Sequence, residues 1–491
     1  MSSDVLMEFA RLSRALGAPL GARHYPFSGE KGFASVGIDS RTVQEGALFV
    51  ALAGESSDGH RYVQSAFESG ARAAMVDSAK IEQYNLLHIA ESAGKDLIVV
   101  NDTLKGLQGA ARAYLEGFPQ LIKIGITGSS GKTTTKEIAA AIIGREKNTV
   151  MNQGNLNSET GLPLSVFEVR AHHEAGIFEL GMNRRGEIAE LAEVLKPNIA
   201  TITNIGTAHI GILGSKQAIA EEKKNIFSRF TGSECALIPA DDEYREFLAR
   251  DLKGRVCFYG ADSFDELGEV TDAGLEGSEI AWNGERIRFA LPGRHNFANA
   301  LAALAIAREL AISAAAVKAG MESVKPLFGR GEILRGGVTV IRDCYNANPE
   351  SVERAIEFCD SLEWQGRKVY VIGDMLELGG ASVQAHENIG RLLASSKADA
   401  VFLYGAHTRP AATVLAGGES AGTRCSAGRS KLRLHSADMD QLSGALAEFL
   451  MPGDLVLLKG SRGCALERLC ELPLMRPKNE LHITGGSAAC F

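Results

Sequence analysis

Residues 121–135 read Leu-Ile-Lys-Ile-Gly-Ile-Thr-Gly-Ser-Ser-Gly-Lys-Thr-Thr-Thr, an apolar run that leads through a glycine-rich turn into a helical sequence. The two glycines allow the turn to curl so that consecutive backbone N–H groups point inward, and the helix adds positive potential at its first turn. Such a turn suits a polyphosphate, with the Lys132 ammonium on the phosphates and the Thr133 hydroxyl on Mg²⁺. The residues predicted to bind the nucleotide here are Gly128, Ser129, Ser130, Gly131, Lys132, Thr133 and Thr134.

The spacing of this turn differs from the common phosphate-loop pattern GxxxxGK[ST]. That pattern requires glycine at position 126, which is Ile126 in this chain, so the turn follows the tighter form TGSSGKTT. A purely structural glycine turn is the alternative. Because a structural turn would not need Lys132 and Thr133 at the start of a helix, we favour nucleotide binding.

Composition narrows the class of protein. The chain has 491 residues, and its 52 basic and 60 acidic side chains give a net charge of −8, which argues against a nucleic-acid-binding protein. No run approaches the roughly 20 apolar residues of a membrane-spanning helix, and no basic leader followed by an apolar run is visible, so a cytoplasmic location is expected. The eight cysteines form no CxxC pair, which predicts buried or incidental thiols.

The pattern along the chain predicts an α/β fold with three domains. A small α/β domain covers residues 1–100, with extended segments at 33–38 and 47–52 and a helix at 62–70. Strands then alternate with helices over 101–325, which predicts a central, mostly parallel sheet of the mononucleotide-binding type. The alternation restarts in a Rossmann-like third domain, residues 326–491, whose tail after Arg476 has little periodicity.

The third domain has a predicted sheet and helix set of its own. Its strands are expected at 338–343, 368–373, 400–405 and 454–460, and its helices near 351–362, 382–394 and 441–450. Since no GxGxxG opens its first helix, a dinucleotide site is not predicted there. The segment Lys459-Gly460-Ser461-Arg462 is either a carboxylate or phosphate clamp or a surface loop.

Several further segments follow the phosphate loop in a fixed order: FELGMNRRGEI (178–188), TNIGTAHIGILGS (203–215), AEEKKNIF (220–227), GRHNFANALAA (293–303), GR (329–330) and RDCYNANPES (342–351). Together with TGSSGKTT they resemble the Mur ligases, the ATP-dependent amide-forming enzymes of peptidoglycan precursor synthesis. The resemblance covers nearly the whole chain. It is strongest for the member that joins D-alanyl-D-alanine to UDP-N-acetylmuramoyl-tripeptide.

The resemblance implies a metal site around four residues. Glu179 follows a short predicted strand, where ligands of open α/β sheets gather, and a carboxylate there can hold Mg²⁺ together with Thr133. By resemblance His209 holds a second Mg²⁺, and Lys223 reacts with CO₂ to give a carbamate. Without the resemblance, Glu179 could be a cap, His209 a structural histidine and Lys223 part of a solvated helix face.

Nucleotide contacts are also implied outside the phosphate loop. Asn296 and Asn299 stand three residues apart at a helix start, so their amides face one side and can bind the adenine or the phosphates, although Asn296 could also be an N-cap. By resemblance Arg330 approaches the γ phosphate and Asp343 the ribose. Both belong to the third domain, which must close over the nucleotide to place them there.

The substrate residues come from all three domains. By resemblance the first domain binds the uridine diphosphate half through Ser40 and Arg41, and the loop carrying Asn157 and Ser158 binds the peptide. Ser158 stands where the family commonly has a second asparagine. The remaining substrate residues lie in the third domain, where the incoming dipeptide is expected to bind: Tyr345, Asn346 and Asn348.

The chemistry that the resemblance implies is amide synthesis through an acyl phosphate. ATP and Mg²⁺ are the cofactors, UDP-N-acetylmuramoyl-tripeptide and D-alanyl-D-alanine the substrates, and a monomer is expected. The residues given a catalytic role are Lys132, Lys223, His209 and Arg330. Two alternatives stay open: a sister ligase, such as the third-amino-acid ligase or a folylpolyglutamate synthetase, and a P-loop ATPase that acts as a conformational switch.

Overall fold

The three largest sheets occupy successive parts of the chain in the computed structural model, which describes residues 5–54, 57–417 and 431–477. Each sheet and its flanking helices form one domain: the first, the central and the third. The arrangement confirms the α/β class. The predicted aperiodic tail lies largely outside the described residues, as do Cys425 and Cys490. Within the described chain no helix is both long and apolar enough to cross a membrane.

The first domain has a five-stranded sheet in the order β2-β7-β6-β5-β4, in which only β2 is antiparallel to its neighbour. Its elements are β1 (Met7–Glu8), α1 (Phe9–Leu20), β2 (Arg23–Tyr25), β3 (Gly32–Phe33), β4 (Val36–Gly37), β5 (Leu48–Val50), α2 (Val63–Glu68), β6 (Ala73–Asp77), α3 (Ile81–Tyr84), α4 (Leu86–Ala93), β7 (Asp96–Val100) and α5 (Thr103–Leu115). The expected strand at 33–38 is therefore two short strands, and α2 is one of several helices.

The central domain has a fully parallel six-stranded sheet in the order β13-β12-β11-β8-β10-β9, as predicted for a mononucleotide-binding domain. Its elements are β8 (Ile122–Thr127), α6 (Lys132–Ile143), β9 (Thr149–Met151), α7 (Gly161–Val166), β10 (Ala175–Glu179), α8 (Glu187–Leu195), β11 (Ile199–Ile202), α9 (Ile210–Leu213), α10 (Lys216–Lys224), β12 (Cys235–Pro239), α11 (Arg245–Ala249), β13 (Arg255–Tyr259), β14 (Leu267–Asp272), β15 (Ser278–Trp282), β16 (Glu285–Phe289), α12 (Arg294–Glu309) and α13 (Ala314–Ser323).

An antiparallel sheet of β14, β15 and β16 interrupts the central alternation. The hairpin between β15 and β16 turns at Asn283 and Gly284, both with positive φ (47° and 83°). An Asn-Gly pair is a strong hairpin signal because both residues tolerate that conformation. This sheet was not among the predicted elements.

The third domain has the strand order β17-β18-β22-β19-β20-β21, with β17 antiparallel and the others parallel. Its elements are β17 (Glu332–Arg335), β18 (Thr339–Asp343), α14 (Pro349–Ser361), β19 (Lys368–Gly373), α15 (Ser382–Ser395), β20 (Ala400–Tyr404), α16 (Arg409–Gly417), β21 (Leu432–Ser436), α17 (Met439–Phe449) and β22 (Leu455–Lys459). All four predicted strands are present, each within about two residues of its predicted ends.

One apolar core runs from the first domain into the central domain. It joins Leu12 and Leu16 of α1 and Leu107 of α5 to buried residues of α7 and α8, including Leu162 and Leu191. A second core, formed by α6, α12 and α13, covers the other face of the central sheet. Helices on both faces bury a parallel sheet completely, which explains its near-continuous apolar strands.

Register places the functional loops at one edge of the central sheet. Glu179, the last residue of β10, pairs with Ile126 of β8, and Ile202, the last residue of β11, pairs with Thr127. The phosphate loop (residues 128–134), the segment after Glu179 and the loop 203–209 (the residues between β11 and α9) therefore leave the sheet side by side. Ligands of open α/β sheets bind at this edge.

Candidate active site

A cleft of about 520 Å³ opens between the central and third domains at this edge. Its walls bring together residues that lie more than 300 positions apart in the chain. The sequence-predicted residues that line it are Ser129, Ser130, Gly131, Lys132, Thr133, Thr134, Asn157, Ser158, Glu179, His209, Asn296, Asn299, Arg330, Asp343, Tyr345, Asn346 and Asn348.

The glycines of the phosphate loop are required by close packing. Gly128 has φ of +152°, and a Cβ there would lie 1.8 Å from Thr203 Oγ1. Gly131 has φ of +79°, and a Cβ there would lie 2.0 Å from Asn299 Oδ1. Both positions therefore exclude a side chain on two counts, conformation and space.

Hydrogen bonds from the loop 203–209 hold the phosphate loop in place. Thr203 Oγ1 donates to the carbonyl of Ser130 at 2.6 Å, and the Ser130 N–H donates to Asn204 Oδ1 at 3.1 Å. The Gly206 N–H donates to Ser129 Oγ at 2.8 Å. The Ser129 N–H also donates to the Asn204 carbonyl at 3.0 Å, so the loop 203–209 holds both serines of GSSG and already accepts from the N–H groups that were predicted to face the phosphate.

Lys132 begins α6 and turns back over the phosphate loop. Its Nζ donates to the carbonyl of Gly128 at 3.0 Å. Burial lowers the pKa of this ammonium, and nearby Glu179 opposes that shift while Arg330 adds to it. An anionic phosphate would restore the preference for the charged form, so the position suits a polyphosphate ligand.

Glu179 is the buried carboxylate at the centre of the site. Thr133 Oγ1 donates to its Oε2 at 2.7 Å, and Asn157 Nδ2 donates to its Oε1 at 2.6 Å. A hydroxyl and a carboxylate held this close form an oxygen-rich donor set, which is the type that Mg²⁺ prefers. The predicted pairing of Thr133 with Glu179 is thus present as a direct hydrogen bond.

Asn152 holds Glu179 in place and was missed from the sequence. Its Oδ1 accepts from the Glu179 N–H at 2.9 Å, and its Nδ2 donates to the carbonyls of Glu179 and Leu156 at 3.1 and 2.8 Å. The amide continues the parallel pairing of β9 with β10 one step past Met151, acting as a backbone mimic. The residue is fully buried.

Lys136 buttresses Asn152 from within the fold. Its side chain is fully buried, and Nζ donates to the Asn152 carbonyl at 2.5 Å and lies 3.3 Å from a Glu137 carboxylate oxygen. A buried ammonium is tolerated only when it is paired and hydrogen-bonded. This role has no local signal in the sequence, because a lysine in the second turn of a helix usually faces solvent.

His209 joins the central and third domains. Its Nδ1 lies 2.8 Å from Glu377 Oε2, and the Gly211 N–H donates to the Glu377 carbonyl at 3.1 Å. The imidazole lowers the pKa of the Glu377 carboxyl, as does the more distant Lys132. The predicted metal ligand therefore has one ring nitrogen facing a carboxylate, a pairing that was not predicted from the sequence.

Lys223 lies behind the cleft and is only 1% exposed. Burial lowers the pKa of its ammonium well below the usual value, and the neighbouring charge of Lys132 adds to this shift while Glu222 and Glu179 oppose it. Within the described part of the chain it makes no hydrogen bond or ion pair. The interpretation of Lys223 as a solvated surface residue is therefore wrong.

Glu222 fixes the helix that carries Lys223. Its two carboxylate oxygens accept from the N–H groups of Gly186 and Ile188 at 2.7 and 2.9 Å, so it caps the start of α8. A carboxylate at a helix N-terminus satisfies free N–H groups and complements the helix dipole. Glu222 thereby ties α10 to α8 next to the site.

Asn296 and Asn299 lie on one face of α12, as predicted. Both are buried, and Asn299 Nδ2 lies 3.4 Å from Asn296 Oδ1, whose own Nδ2 donates to the Pro292 carbonyl at 2.8 Å. Asn296 is inside the helix and is not its N-cap, which is Gly293. The interpretation of Asn296 as an N-cap is therefore wrong.

The third domain contributes cations to the cleft wall. The Arg330 guanidinium stacks on the Tyr345 ring, with 4.0 Å between its Cζ and the ring centroid. Asp343 and Lys459 end the paired strands β18 and β22, and their side chains form a 2.9 Å ion pair. Lys459 also donates to the Asn346 carbonyl at 3.0 Å, so it supports this wall from a buried position.

Two of the predicted substrate asparagines have local structural partners. Asn348 Oδ1 accepts from the Ser351 N–H at 2.8 Å and caps α14. Asn346 Oδ1 accepts from the Ala347 N–H at 2.8 Å. Both residues still line the cleft.

Ser40 and Arg41 are not brought to this cleft. Ser40 is buried in the first domain, and the side chain of Arg41 is 85% exposed and paired with Asp39 at 2.6 Å. The guanidinium lowers the pKa of Asp39 to about 2. Both residues follow β4 at the carboxyl edge of the first sheet, which is a separate surface from the phosphate loop.

Comparison with protein families matches three models in chain order. "Mur ligase family, catalytic domain" matches residues 33–114, "Mur ligase middle domain" matches 126–307 and "Mur ligase, glutamate ligase domain" matches 329–462. Two similar proteins are both called UDP-N-acetylmuramoyl-tripeptide--D-alanyl-D-alanine ligase. The one from Treponema pallidum (strain Nichols) is 45% identical over 93% of this chain and 96% of its own, and the one from Bacillus subtilis (strain 168) is 34% identical over 88% and 92%.

Solved structures agree with these relatives. A crystal structure of MurF from Acinetobacter baumannii superposes with a TM-score of 0.82 and 28% identity, covering 95% of this chain and 98% of that one. MurF ligase from Thermotoga maritima, crystallised in complex with ADP, gives a TM-score of 0.73 and 27% identity over 89% and 96% of the two chains.

Proposed function

The chain belongs to the Mur ligase family, and we propose that it joins D-alanyl-D-alanine to the terminal carboxylate of UDP-N-acetylmuramoyl-tripeptide with hydrolysis of ATP to ADP and phosphate. The relatives that share most of its length carry the name of this activity. The reaction belongs to the synthesis of peptidoglycan precursors. We propose a cytoplasmic enzyme, because the proposed reaction belongs to cytoplasmic precursor synthesis. We propose a monomer, since one chain supplies both walls of the cleft.

The observation that carries this proposal is the composition of the two cleft walls. The central wall presents Lys132, Thr133 and Glu179, and the third-domain wall presents Arg330 and Asp343. Phosphoryl transfer depends mainly on alignment and on the neutralisation of charge. A cleft with cations on both walls and an oxygen donor set at its base supplies both.

Mg²⁺ fits the residues present. Thr133 and Glu179 would hold it, because their oxygens already adjoin at 2.7 Å and line the cleft. His209 is a less usual ligand for this ion, since imidazole suits softer metals. When bound, Mg²⁺ supplies positive charge that neutralises the phosphates.

The first step activates the peptide carboxylate. A carboxylate oxygen attacks the γ phosphorus of ATP, the bond from that phosphorus to the β-γ bridging oxygen breaks, and ADP leaves with both bonding electrons. The products are an acyl phosphate and ADP. Lys132 and Arg330 line the cleft, and their positive charges would stabilise the charge that develops on the transferring group.

The second step forms the amide. The neutral amine of D-alanyl-D-alanine attacks the acyl carbon, the carbon–oxygen bond to phosphate breaks, and the amine proton leaves with the departing phosphate or with water. An acyl phosphate is hydrolysed if water enters freely, so closure of the third domain over the cleft protects the intermediate.

Lys223 fits the carbamate that the family resemblance implies. Its buried position and lowered pKa favour the neutral amine, whose nitrogen can attack the carbon of CO₂ and lose one proton. The product is a carbamate anion in place of the neutral amine, close enough to Glu179 for their charges to interact. We propose that this anion completes the negative charge around the metal site.

The test measures ADP release and amide formation by the purified chain with ATP, Mg²⁺ and UDP-N-acetylmuramoyl-tripeptide. We expect amide only when D-alanyl-D-alanine is added, and none with single amino acids. Activity with a single amino acid would identify a sister ligase, and ATP turnover that ignores the sugar peptide would identify a switch.

Two controls connect the activity to the cleft. Lys132→Ala is expected to lower the rate by at least about 10³-fold, since it removes the main cation of the phosphate loop. Lys397→Ala changes an exposed lysine outside the cleft lining and is expected to act like the parent.

With ¹⁸O in the peptide carboxylate, label must appear in the released phosphate, and its absence would contradict an acyl phosphate.

A further inference from the structure

Glu350 makes a direct contact between the third and central domains that the reaction scheme above does not use. It stands in the first turn of α14, and its carboxylate accepts from both donors of Thr207, the backbone N–H at 2.8 Å and the Oγ1 hydroxyl at 2.9 Å. The two residues are 143 positions apart. Both are partly buried, so water screens the contact only in part.

Thr207 belongs to the same loop that supports the phosphate loop. The loop 203–209 bonds to Ser129 and Ser130 through Thr203, Asn204 and Gly206. A displacement of Thr207 would therefore be transmitted over one to four residues to the backbone of the phosphate loop. Glu350 thus attaches α14 to a support of the nucleotide site and not to a free surface loop.

A second contact lies one turn further along α14. Arg354 Nη1 lies 3.4 Å from Ser130 Oγ. Residues 350 and 354 share one helix face because they are four positions apart. Both contacts of this face therefore converge on the two serines of the phosphate loop or on the loop that holds them.

The first turn of α14 is held by its cap, and the cleft wall directly precedes it. Asn348 and Ser351 form a reciprocal capping box, and Pro349 occupies the first helical turn. Tyr345 and Asn346 of the cleft wall lie three to four residues before this helix. A shift of α14 would move these residues with it.

We propose that Glu350 is a positioning residue for ligation, which holds the third domain against the loop 203–209 so that Arg330, Tyr345 and Asn346 face the phosphate loop during the reaction. This inference rests on the proposed function. Without the contact, the third domain spends less time closed. The acyl phosphate then meets water more often, and phosphate is released without amide.

The test compares three variants with the parent chain. Glu350→Ala removes both hydrogen bonds, Glu350→Gln retains an acceptor for the Thr207 N–H and can donate to the hydroxyl, and Thr207→Val removes only the hydroxyl donor. Glu353→Ala is the matched control, because Glu353 is an exposed carboxylate on the same helix with no contact to the central domain among the described interactions.

Four quantities are measured: kcat and KM for D-alanyl-D-alanine, the ratio of phosphate to amide, and the radius of gyration with a non-hydrolysable ATP analogue. For Glu350→Ala we expect about a tenfold loss of kcat, as for two charge-assisted hydrogen bonds, more phosphate than amide, and a larger radius than the control. Glu350→Gln should recover most of the loss, and Thr207→Val should fall between Glu350→Ala and the parent.

The inference would be overturned if Glu350→Ala behaved like the Glu353→Ala control in three respects. These are the same kcat, equal yields of phosphate and amide, and the same radius of gyration. A loss of activity accompanied by a lower melting temperature but equal yields and an unchanged radius would also overturn it, since that pattern is structural damage. If the parent itself forms no amide, the proposed function fails. The radius comparison then still decides whether Glu350 holds the domains together.

Discussion

His209 Nδ1 and Glu377 Oε2 lie 2.8 Å apart across the boundary between the central and third domains. Both residues have left-handed backbone, with φ of 65° and 63°. For residues with a side chain this conformation costs about 1–2 kcal/mol each. Two strained loops that meet at the cleft indicate that the surrounding structure is built to bring these side chains together.

Replacement of Glu377 by alanine tests the contribution of this pair. Because the Glu377 side chain is half-exposed, its ion pair with His209 contributes about 1 kcal/mol to the contact between the two domains. We therefore expect about a fivefold loss of ligation rate with little change in melting temperature. Glu363→Ala, at an exposed position of the same domain, is the control. Equal rates for the two variants would show that the contact is dispensable.

Gly131→Ala is expected to weaken ATP binding at least about tenfold. The new Cβ would meet Asn299 Oδ1 at 2.0 Å in a backbone conformation that favours glycine. The phosphate loop and α12 would both have to move. Titration with ATP gives the dissociation constant. Gly444→Ala in α17 is the control because no atom lies within 4 Å of the added Cβ, and unchanged ATP affinity in Gly131→Ala would refute the packing argument.

Asn152→Ala is expected to raise the Mg²⁺ concentration needed for half-maximal activity. It leaves the N–H and carbonyl of Glu179 and the carbonyl of Leu156 without their partner, at a cost of about 3 kcal/mol in the free energy of unfolding. Activity across a Mg²⁺ titration and the melting temperature are the measurements. Gln153→Ala replaces the exposed neighbour. A Mg²⁺ dependence like that of the control would mean that Glu179 needs no such support.

The His295 imidazole is expected to make the free energy of unfolding depend on pH. Burial lowers its pKa to about 4; Asp343 opposes this shift, while Lys459 and Arg354 add to it. Since the unfolded chain binds the proton near pH 6.5, the unfolded state holds more protons between pH 6.5 and 4. Stability is therefore lost as pH falls through this window, by at most about 3 kcal/mol.

Melting temperatures of the parent and His295→Gln between pH 7 and 4 measure this effect. The variant has no imidazole to protonate, so its melting temperature should fall less steeply than that of the parent. Parallel curves for the two proteins would show that His295 does not titrate in this range.

The phosphate loop and the strand-end residues were predictable because their signals are local. A glycine turn before a Lys-Thr helix start, and a glutamate directly after an apolar run, are read from about ten residues, and register then places them at one sheet edge. Thr133 and Glu179 accordingly meet at 2.7 Å. The same reasoning placed Asn296 and Asn299 on one helix face.

The supporting residues were not predictable because their partners are remote. In the sequence, polar residues such as Asn152, Lys136 and Glu350 look like surface residues. Only the tertiary fold buries them or places them opposite another domain. Helix α1 was hidden for a local reason, since Gly17 and Pro19 lie within it and both lower the helical signal. The hairpin at Asn283 did have a local signal, the Asn-Gly pair at its turn.

Because the first and central domains share a continuous core, the boundary with the third domain is where the described chain would come apart most easily. Leu12 of α1 and Leu191 of α8 belong to the same buried cluster. The third domain has two clusters of its own, and among the described apolar residues of the central domain only Ile210 and Leu275 pack against one of them. A pulling force on the two ends of the chain would separate the third domain first. The other two would yield afterwards as a single block.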